Sequence, residues 1–261
     1  MFENMFDVGG PTGRRGVFSL TACGLLAAAI GSAANADTIQ LSYQYVSAGG
    51  TLSGVLNHTD YTNTSNADGI QYMATANAVG ALASMLPSNI WVACRQLGQS
   101  TDFPFNTYNV GLLSNSDIGK PKADLIGQLW AKHYDHNWNN NNAIYVQGFV
   151  GGQPANTVEN QTALAFIYAI YAIRYNFDGT AGSLTVSNNA LSFYQYADTN
   201  PSSMALTNAW LADLDLNYAG PLPTLVDLTN DNLQDVIVEI PAPGVAGLLA
   251  FTGIVGLRRR R

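Results

Sequence analysis

The chain has 261 residues, of which 47% are apolar and 11% are charged, and its formal net charge is −7. The apolar content is that of a globular protein, but cytosolic proteins carry about a quarter charged residues, so the composition favours an extracytoplasmic protein with many loops. Between residues 37 and 239, five basic residues stand against 16 acidic ones. The resulting charge of −11 disfavours binding to nucleic acids and to anionic lipids.

The first 36 residues have the three parts of a secretory signal peptide. Arg14 and Arg15 precede an apolar run of small residues, and an A-x-A site formed by Ala34 and Ala36 follows it. Cleavage after Ala36 would make Asp37 the new N-terminus, with the export machinery as a partner. The arginine pair also resembles a twin-arginine signal, whose route carries folded cargo, so both export routes stay open.

Strands are predicted in the segment that follows. Residues 39–46 alternate apolar and polar side chains, which is the period of a half-buried strand, and residues 51–56 are predicted to be the hairpin partner across a Gly-Gly pair. Residues 58–69 have the composition of a loop. Further strands are predicted at residues 71–79, 90–97 and 234–239.

Three helices are predicted in the middle of the chain. Residues 121–134 have the clearest helical period, because four apolar residues share one face: Leu125, Ile126, Leu129 and Trp130. Residues 157–175 are apolar nearly all the way round, which predicts a buried central helix, and residues 203–214 predict a third helix. Antiparallel strands with two or three helices indicate a single α+β domain over residues 37–239.

Residues 240–261 combine a proline pair, a short apolar segment and a basic end. Pro241, Ala242 and Pro243 come first, and residues 244–257 carry no charge. Four arginines end the chain: Arg258, Arg259, Arg260 and Arg261. This order resembles the PEP-CTERM sorting segment, with Ala242 in place of the usual glutamate.

The PEP-CTERM resemblance implies a location and partners. Proteins with this tail are held by a transmembrane helix until an exosortase, a cysteine transpeptidase-like enzyme, processes them, and they are commonly linked to extracellular polysaccharide. We therefore expect a transient membrane anchor, an exosortase-type partner, a polysaccharide partner and a cell-surface or extracellular location. A plain C-terminal anchor stopped by the arginines is the alternative.

Cys94 is the single cysteine expected in the mature protein, because Cys23 lies in the signal peptide; an internal disulfide is thus excluded. A strand with Cys94, two helices and a closing strand follow one another over residues 90–239. This order resembles the thioester-type domain of bacterial surface proteins. In that family a strand cysteine condenses with a helix glutamine, and the thioester captures amines covalently.

The chain departs from the helix motif of the thioester family. Alignment places Ile167 at the glutamine position, Tyr171 at the tryptophan position and Ala172 at the glutamate position. Isoleucine has no carboxamide, so a thioester to Cys94 would need another glutamine, and Gln161 is the nearest. The resemblance therefore implies a degenerate domain in which Cys94 is a small buried residue.

Two further patterns resemble metal sites. His133 and His136 form an H-x-x-H pair, but no third ligand is visible, so a solvated helix end is preferred. Residues 227–235 have oxygen ligands near calcium-loop spacing without the glycine and the terminal glutamate, so a hydrogen-bonded turn is preferred. Trp138 fits either a sugar-stacking surface or the core. We predict neither a metal nor a cofactor.

These patterns predict a non-enzymatic structural or interaction protein of the cell surface or extracellular matrix. Two alternatives come from other functional classes. A covalent adhesin would use a Cys94 thioester, and an extracellular hydrolase would use Cys94 or His133.

Overall fold

A computed structural model describes residues 37–50, 53–56, 59–62, 68–97, 99–102, 104–139, 145–146, 158–186, 191–193 and 201–240. All of them belong to one compact unit. The predicted cleavage site at Ala34 and Ala36, the Pro241–Pro243 motif and the arginines from Arg258 to Arg261 lie outside the described residues.

The described residues form ten strands and three α-helices. In chain order these are β1 (Asp37–Gly50), β2 (Ser53–Leu56), β3 (Thr59–Thr62), β4 (Asp68–Val79), β5 (Asn89–Cys94), β6 (Asn106–Leu112), α1 (Gly119–His133), β7 (Tyr145–Val146), α2 (Val158–Asn176), β8 (Leu191–Phe193), α3 (Pro201–Ala212), β9 (Leu225–Thr229) and β10 (Val236–Glu239). The predicted α+β class is confirmed. None of these helices combines the length and the apolarity needed to span a membrane, and the predicted membrane helix at residues 244–257 lies outside the described residues.

Six of the described strands close into an antiparallel barrel. The order is β1-β4-β5-β10-β9-β6, and β6 returns to β1. Strand β1 pairs with β4 over most of its length and with β6 from Asp37 to Leu41. Strand β7 adds to β1 at Tyr45 and Val46, and β2, β3 and β8 form a second antiparallel sheet. Closure leaves the barrel without an unpaired edge over these strands.

Side chains fill the interior of the barrel, as expected for a barrel of this size. Ile90 and Val92 of β5 belong to the interior cluster, while Trp91 between them packs against the helices. The same alternation contributes inward residues from the other five strands: Ile39, Leu41, Tyr43, Met73, Tyr108, Val110, Val226, Leu228, Val236 and Val238. The barrel therefore holds a hydrophobic core of its own.

The helices pack on the outer face of the barrel and form a second core. Every α2 residue from Ala163 to Ile173 is at most 5% exposed, which confirms the predicted buried central helix. The four residues predicted to share the buried face of α1 are at most 3% exposed. They pack in one cluster with α2, with α3 residue Leu211 and with the outward-facing barrel residues Ala93 and Ile237.

The predicted hairpin between residues 39–46 and 51–56 is wrong. Strand β2 pairs with β3 and β8, whereas β1 continues through the Gly-Gly pair to Gly50 and pairs with β4. Strand β3 lies inside the segment predicted to be a loop. Its threonine and tyrosine residues favour extended backbone. The loop was predicted from local composition, which contains no information about the strand with which β3 pairs.

Candidate functional site

Arg95 lies directly after β5, at the centre of a buried ion-pair cluster. Its side chain is 1% exposed and contacts three carboxylates. Nη1 lies 2.6 Å from Asp117 Oδ1, Nε lies 2.9 Å from Asp227 Oδ1, and Nη2 lies 2.8 Å from Asp235 Oδ2. A guanidinium presents donors in several directions from one plane, so a single arginine can hold three carboxylates where a lysine ammonium would not match the geometry.

Neighbouring barrel strands position these side chains. Asp227 occupies an outward position of β9, and Asp235 directly precedes β10, which pairs with both β9 and β5. The Arg95 amide donates to the Asp235 carbonyl at 3.0 Å, which aligns the start of β10 with the end of β5. From the helical layer, Arg174 near the end of α2 places Nη2 at 3.4 Å from Asp117 Oδ2.

Asp227 is the carboxylate of the cluster with the fewest favourable polar contacts. Its side chain is 2% exposed, and neither carboxylate oxygen has a hydrogen-bond partner in the described part of the chain. Arg95 Nε is close to Oδ1 but its N–H is not aligned with it, so the contact is ionic. Burial raises the pKa of Asp227 to about 7, against the opposing effect of the Arg95 charge. Burying a carboxylate without donors is costly, and Asp227 therefore gains from any donor that reaches it.

The other two carboxylates titrate differently. Burial raises the pKa of Asp235, although Arg95 opposes this effect. For Asp117, whose side chain is 62% exposed, burial alone would raise the pKa. The Arg95 hydrogen bond and the charges of Arg95 and Arg174 together outweigh burial and lower the pKa of Asp117. The cluster thus combines an ionised rim carboxylate with a buried one that exchanges its proton near neutrality.

A cleft of about 520 Å³ opens over this cluster. Its charged lining consists of two arginines, Arg95 and Arg174, and four aspartates, which are Asp117, Asp227, Asp231 and Asp235. Amide and hydroxyl side chains supply much of the remaining wall: Gln96, Gln99, Asn109, Asn115, Ser116 and Asn230. With all of its carboxylates ionised the cleft has two more negative charges than positive ones, so it suits a ligand that donates hydrogen bonds.

The calcium-loop-like segment at residues 227–235 forms a hydrogen-bonded turn, as predicted. Asn230 Oδ1 accepts from the amides of Asn232 and Leu233 at 2.8 and 3.0 Å, and Asp235 Oδ1 accepts from the Asn230 amide at 3.1 Å. No group of three or more histidines, cysteines and acidic residues within the described ranges is arranged to hold a metal ion. The Arg95 guanidinium supplies the positive charge to this turn.

Cys94 is fully buried, as predicted, with Sγ 3.8 Å from the Gly69 carbonyl. The chain just beyond it reaches the C-terminal end of α2, where the Leu97 amide donates to Tyr175 Oη at 3.0 Å. Gln161 lies in the first turn of α2, about 20 Å from Tyr175 along the helix axis at a rise of 1.5 Å per residue. The structure therefore does not bring Cys94 and Gln161 together.

The H-x-x-H pair is divided by the end of a helix. Helix α1 ends at His133, and His136 begins a separate 3₁₀ turn. His133 stacks on Trp210 with ring centroids 4.6 Å apart, whereas His136 meets the Tyr134 ring edge-on at 5.2 Å. The shared helical face assumed for a metal pair is absent in this described segment. Trp138 is 1% exposed, so it belongs to the core and not to a sugar-stacking surface.

Sequence patterns did not single out Arg95, Asp117 or Arg174 as site residues. Arg95 carried one usable signal, since it is one of only five basic residues between residues 37 and 239 and directly follows a strand of apolar residues. A charge at that position must find counter-charges inside the fold. Comparisons with protein-family models, curated proteins and solved structures found no match to this chain. What the cleft does must therefore follow from its own chemistry.

Proposed function

We propose that this chain is an exported structural or interaction protein of the cell surface or extracellular matrix, and that the cleft around Arg95 and Asp227 is its ligand-binding surface. It is not an enzyme in this proposal. The observation that carries the binding role is the buried Asp227 carboxylate, which lines a polar cleft without a hydrogen-bond donor in the described part of the chain. Convergent polar groups in a concave surface are typical of binding sites.

Export and sorting rest on the two ends of the chain. The signal-like residues 1–36 support secretion, and the PEP-CTERM-like residues 240–261 support temporary anchoring and exosortase processing. Extracellular polysaccharide is the partner proposed for the cleft, because hydroxyl-rich chains match its amide, hydroxyl and carboxylate groups.

The buried position of Cys94 favours binding over the two cysteine-dependent alternatives. A nucleophile or an amine-capturing thioester must be reached by its substrate, whereas Cys94 is 0% exposed, its Sγ faces the Gly69 carbonyl, and it is not among the residues that line the cleft around Arg95. A covalent adhesin would also need a glutamine beside the thiol. Gln161, the candidate that the sequence offered, lies near the opposite end of α2.

Fractionation of a bacterial host that has an exosortase tests the export proposal. We expect the mature chain at the surface or in the matrix, with Asp37 as its N-terminal residue. Replacing Arg258–Arg261 with serines should leave signal cleavage intact and prevent processing of the tail. A cytosolic product that begins at Met1 would contradict the proposal.

Co-sedimentation with the extracellular polysaccharide of the same host tests the binding role. The wild-type chain should pellet with the polysaccharide, and Asp227→Asn should lose most of this association. Asp124→Asn is the matched control, because Asp124 pairs with exposed Lys120 on α1 and lies outside the cleft. Equal pelleting of all three proteins would show that the cleft is not the binding surface.

A further inference from the structure

The cleft has too little positive charge and too few hydrogen-bond donors to satisfy Asp227. Four aspartates face two arginines in its lining. Arg95 already contacts three carboxylates, and its contact with Asp227 is ionic, so both Asp227 oxygens lack a hydrogen bond from any described residue. A ligand that enters the cleft can therefore gain most by bringing a positively charged donor to Asp227.

The residues of the cleft indicate which class of chemical group would supply that donor. The described residues offer no cluster of metal-ligating side chains, so a donor with its own covalent N–H groups fits better than a metal ion. A primary ammonium donates three hydrogen bonds and carries one positive charge, which suits the two Asp227 oxygens and neighbouring Asp235. The amides of Gln99, Asn109 and Asn115 around the cleft can both donate to and accept from hydroxyl groups.

We infer that the cleft binds a protonated primary amine, as carried by an amino sugar, with Asp227 as its principal acceptor. This deepens the binding role proposed above by naming the group that the cleft selects. In a saccharide ligand the ammonium would contact Asp227, and the ring hydroxyls would contact the amide side chains of the cleft wall.

Calorimetric titration of the full-length protein with three probes tests this inference. The probes are a glucosamine disaccharide, its N-acetylated form, and putrescine, which has amines but no hydroxyls. We expect the glucosamine disaccharide to bind about tenfold or more tightly than the N-acetylated form, since acetylation removes a charge-assisted hydrogen bond. If putrescine binds as tightly as the glucosamine disaccharide, the ammonium site stands, and its ligand is a simple amine that needs no hydroxyl groups.

Substitutions separate ligand recognition from folding. Asp227→Asn should weaken binding of the glucosamine disaccharide about tenfold, and the exposed rim substitution Asp231→Asn should weaken it less while leaving thermal unfolding unchanged. Asp124→Asn should bind like the wild type. Equal affinity for both disaccharides, or unchanged affinity in Asp227→Asn, would overturn the ammonium site. Because these titrations use purified protein, they fail or succeed independently of export and of the host polysaccharide.

Strand β1 carries a second inference, because it begins at the residue predicted to follow the signal cleavage site. The Asp37 backbone lies opposite Val110 of β6. Its Oδ2 accepts from the amides of Leu82 and Ala83 at 2.6 and 3.4 Å. Between Thr38 and Leu41, β1 lies between β4 and β6 and pairs with both. Once the barrel has closed, the residue that follows the predicted scissile bond, Asp37, is already part of the paired strand.

We infer that the signal peptide is removed before the barrel closes. A protease must hold the residues on both sides of the scissile bond in its own cleft, but Asp37 and Thr38 are already bound within the closed sheet. A chain that is cleaved at Ala36 therefore crosses the membrane unfolded. This order favours general secretion over the twin-arginine route, which carries folded cargo.

Cleavage of the purified full-length preprotein by signal peptidase tests the order of events. We expect the urea-unfolded chain, on dilution into the assay, to be cleaved after Ala36 at least about tenfold faster than the folded chain, because cleavage of the folded form must wait for local opening of β1. Inserting six Gly and Ser residues between Ala36 and Asp37 should make the folded and unfolded forms equal substrates. Equal cleavage of both wild-type forms would overturn the inferred order. Resistance of the linker variant in both forms would overturn the cleavage site as well.

Discussion

Replacing Arg95 with methionine removes the central charge of the cluster and keeps an unbranched side chain of similar length. The substitution leaves the buried carboxylates of Asp227 and Asp235 without their counter-charge. Removing one partner of a buried ion pair costs about 3–5 kcal/mol, because the remaining charge stays buried. Loss of the contact with Asp117 adds at most about 1 kcal/mol to this cost, since the side chain of Asp117 is 62% exposed.

The cost of Arg95→Met should depend on pH. Burial already raises the pKa of Asp227 to about 7 in the wild type, so this carboxyl is largely protonated at pH 5 and largely ionised at pH 8. The substitution removes a favourable charge interaction only from the ionised form. We therefore expect the full loss at pH 8, equivalent to about 6–20 °C in Tm for a domain of this size, and a clearly smaller loss at pH 5.

Thermal and urea unfolding of the full-length protein, followed by circular dichroism at both pH values, measures this effect. Lys120→Met is the matched control, because it breaks an exposed pair with Asp124 that contributes below about 0.5 kcal/mol. The double variant Arg95→Met/Asp227→Asn should recover a substantial part of the loss. A loss below about 1 kcal/mol at pH 8, or an equal loss at both pH values, would refute the reasoning.

Three further predictions concern single positions. Because burial raises the folded-state pKa of Asp227 from the ordinary range of an aspartate to about 7, its contribution to stability is present at low pH and lost as pH rises through 7; Asp227→Asn should flatten this fall in urea titrations between pH 4 and 8, and an unchanged slope would contradict the burial argument. Gly80→Ala should lower the Tm in calorimetry, since Gly80 has φ +99° and an added Cβ would clash with Asp37 Oδ1; a Tm equal to that of the wild type would show that this turn rearranges freely. Phe166→Ala should cost about 3–5 kcal/mol in urea unfolding, because Phe166 is fully buried against Trp138, and a loss below about 1 kcal/mol would mean that this core collapses around the cavity.

Local periodicity identified the helices correctly because their burial follows from their own side chains. The shared face of Leu125, Ile126, Leu129 and Trp130 is buried as predicted, and residues 157–175 could be recognised as a central helix from their lack of a polar face. Alternation likewise identified β1, and strands were also predicted over most of β4 and β5. Strand β9 was not predicted, because Asp227 interrupts its short apolar run with a charge whose partner is remote in sequence.

Strand pairing could not be predicted from neighbours in the chain. The Gly-Gly pair after residue 48 is a reasonable turn signal, yet β1 runs through it and pairs with β4 instead. Barrel closure joins β1 to β6 and β5 to β10, and these contacts depend on the shape of the whole sheet. The barrel pairings bury far more apolar surface than the hairpin that the Gly-Gly pair predicts, and they therefore determine the structure.

The sequence by itself determined the helices, most of the long strands, the burial of Cys94 and the turn at residues 227–235, because each depends on side-chain period or on hydrogen bonds within a few residues. Only the tertiary structure decided the closure of the barrel, the distance between Cys94 and Gln161, and the gathering of Asp117, Asp227 and Asp235 around Arg95. Ion pairing acts through space, and no periodic pattern marks which distant carboxylates will share one buried guanidinium.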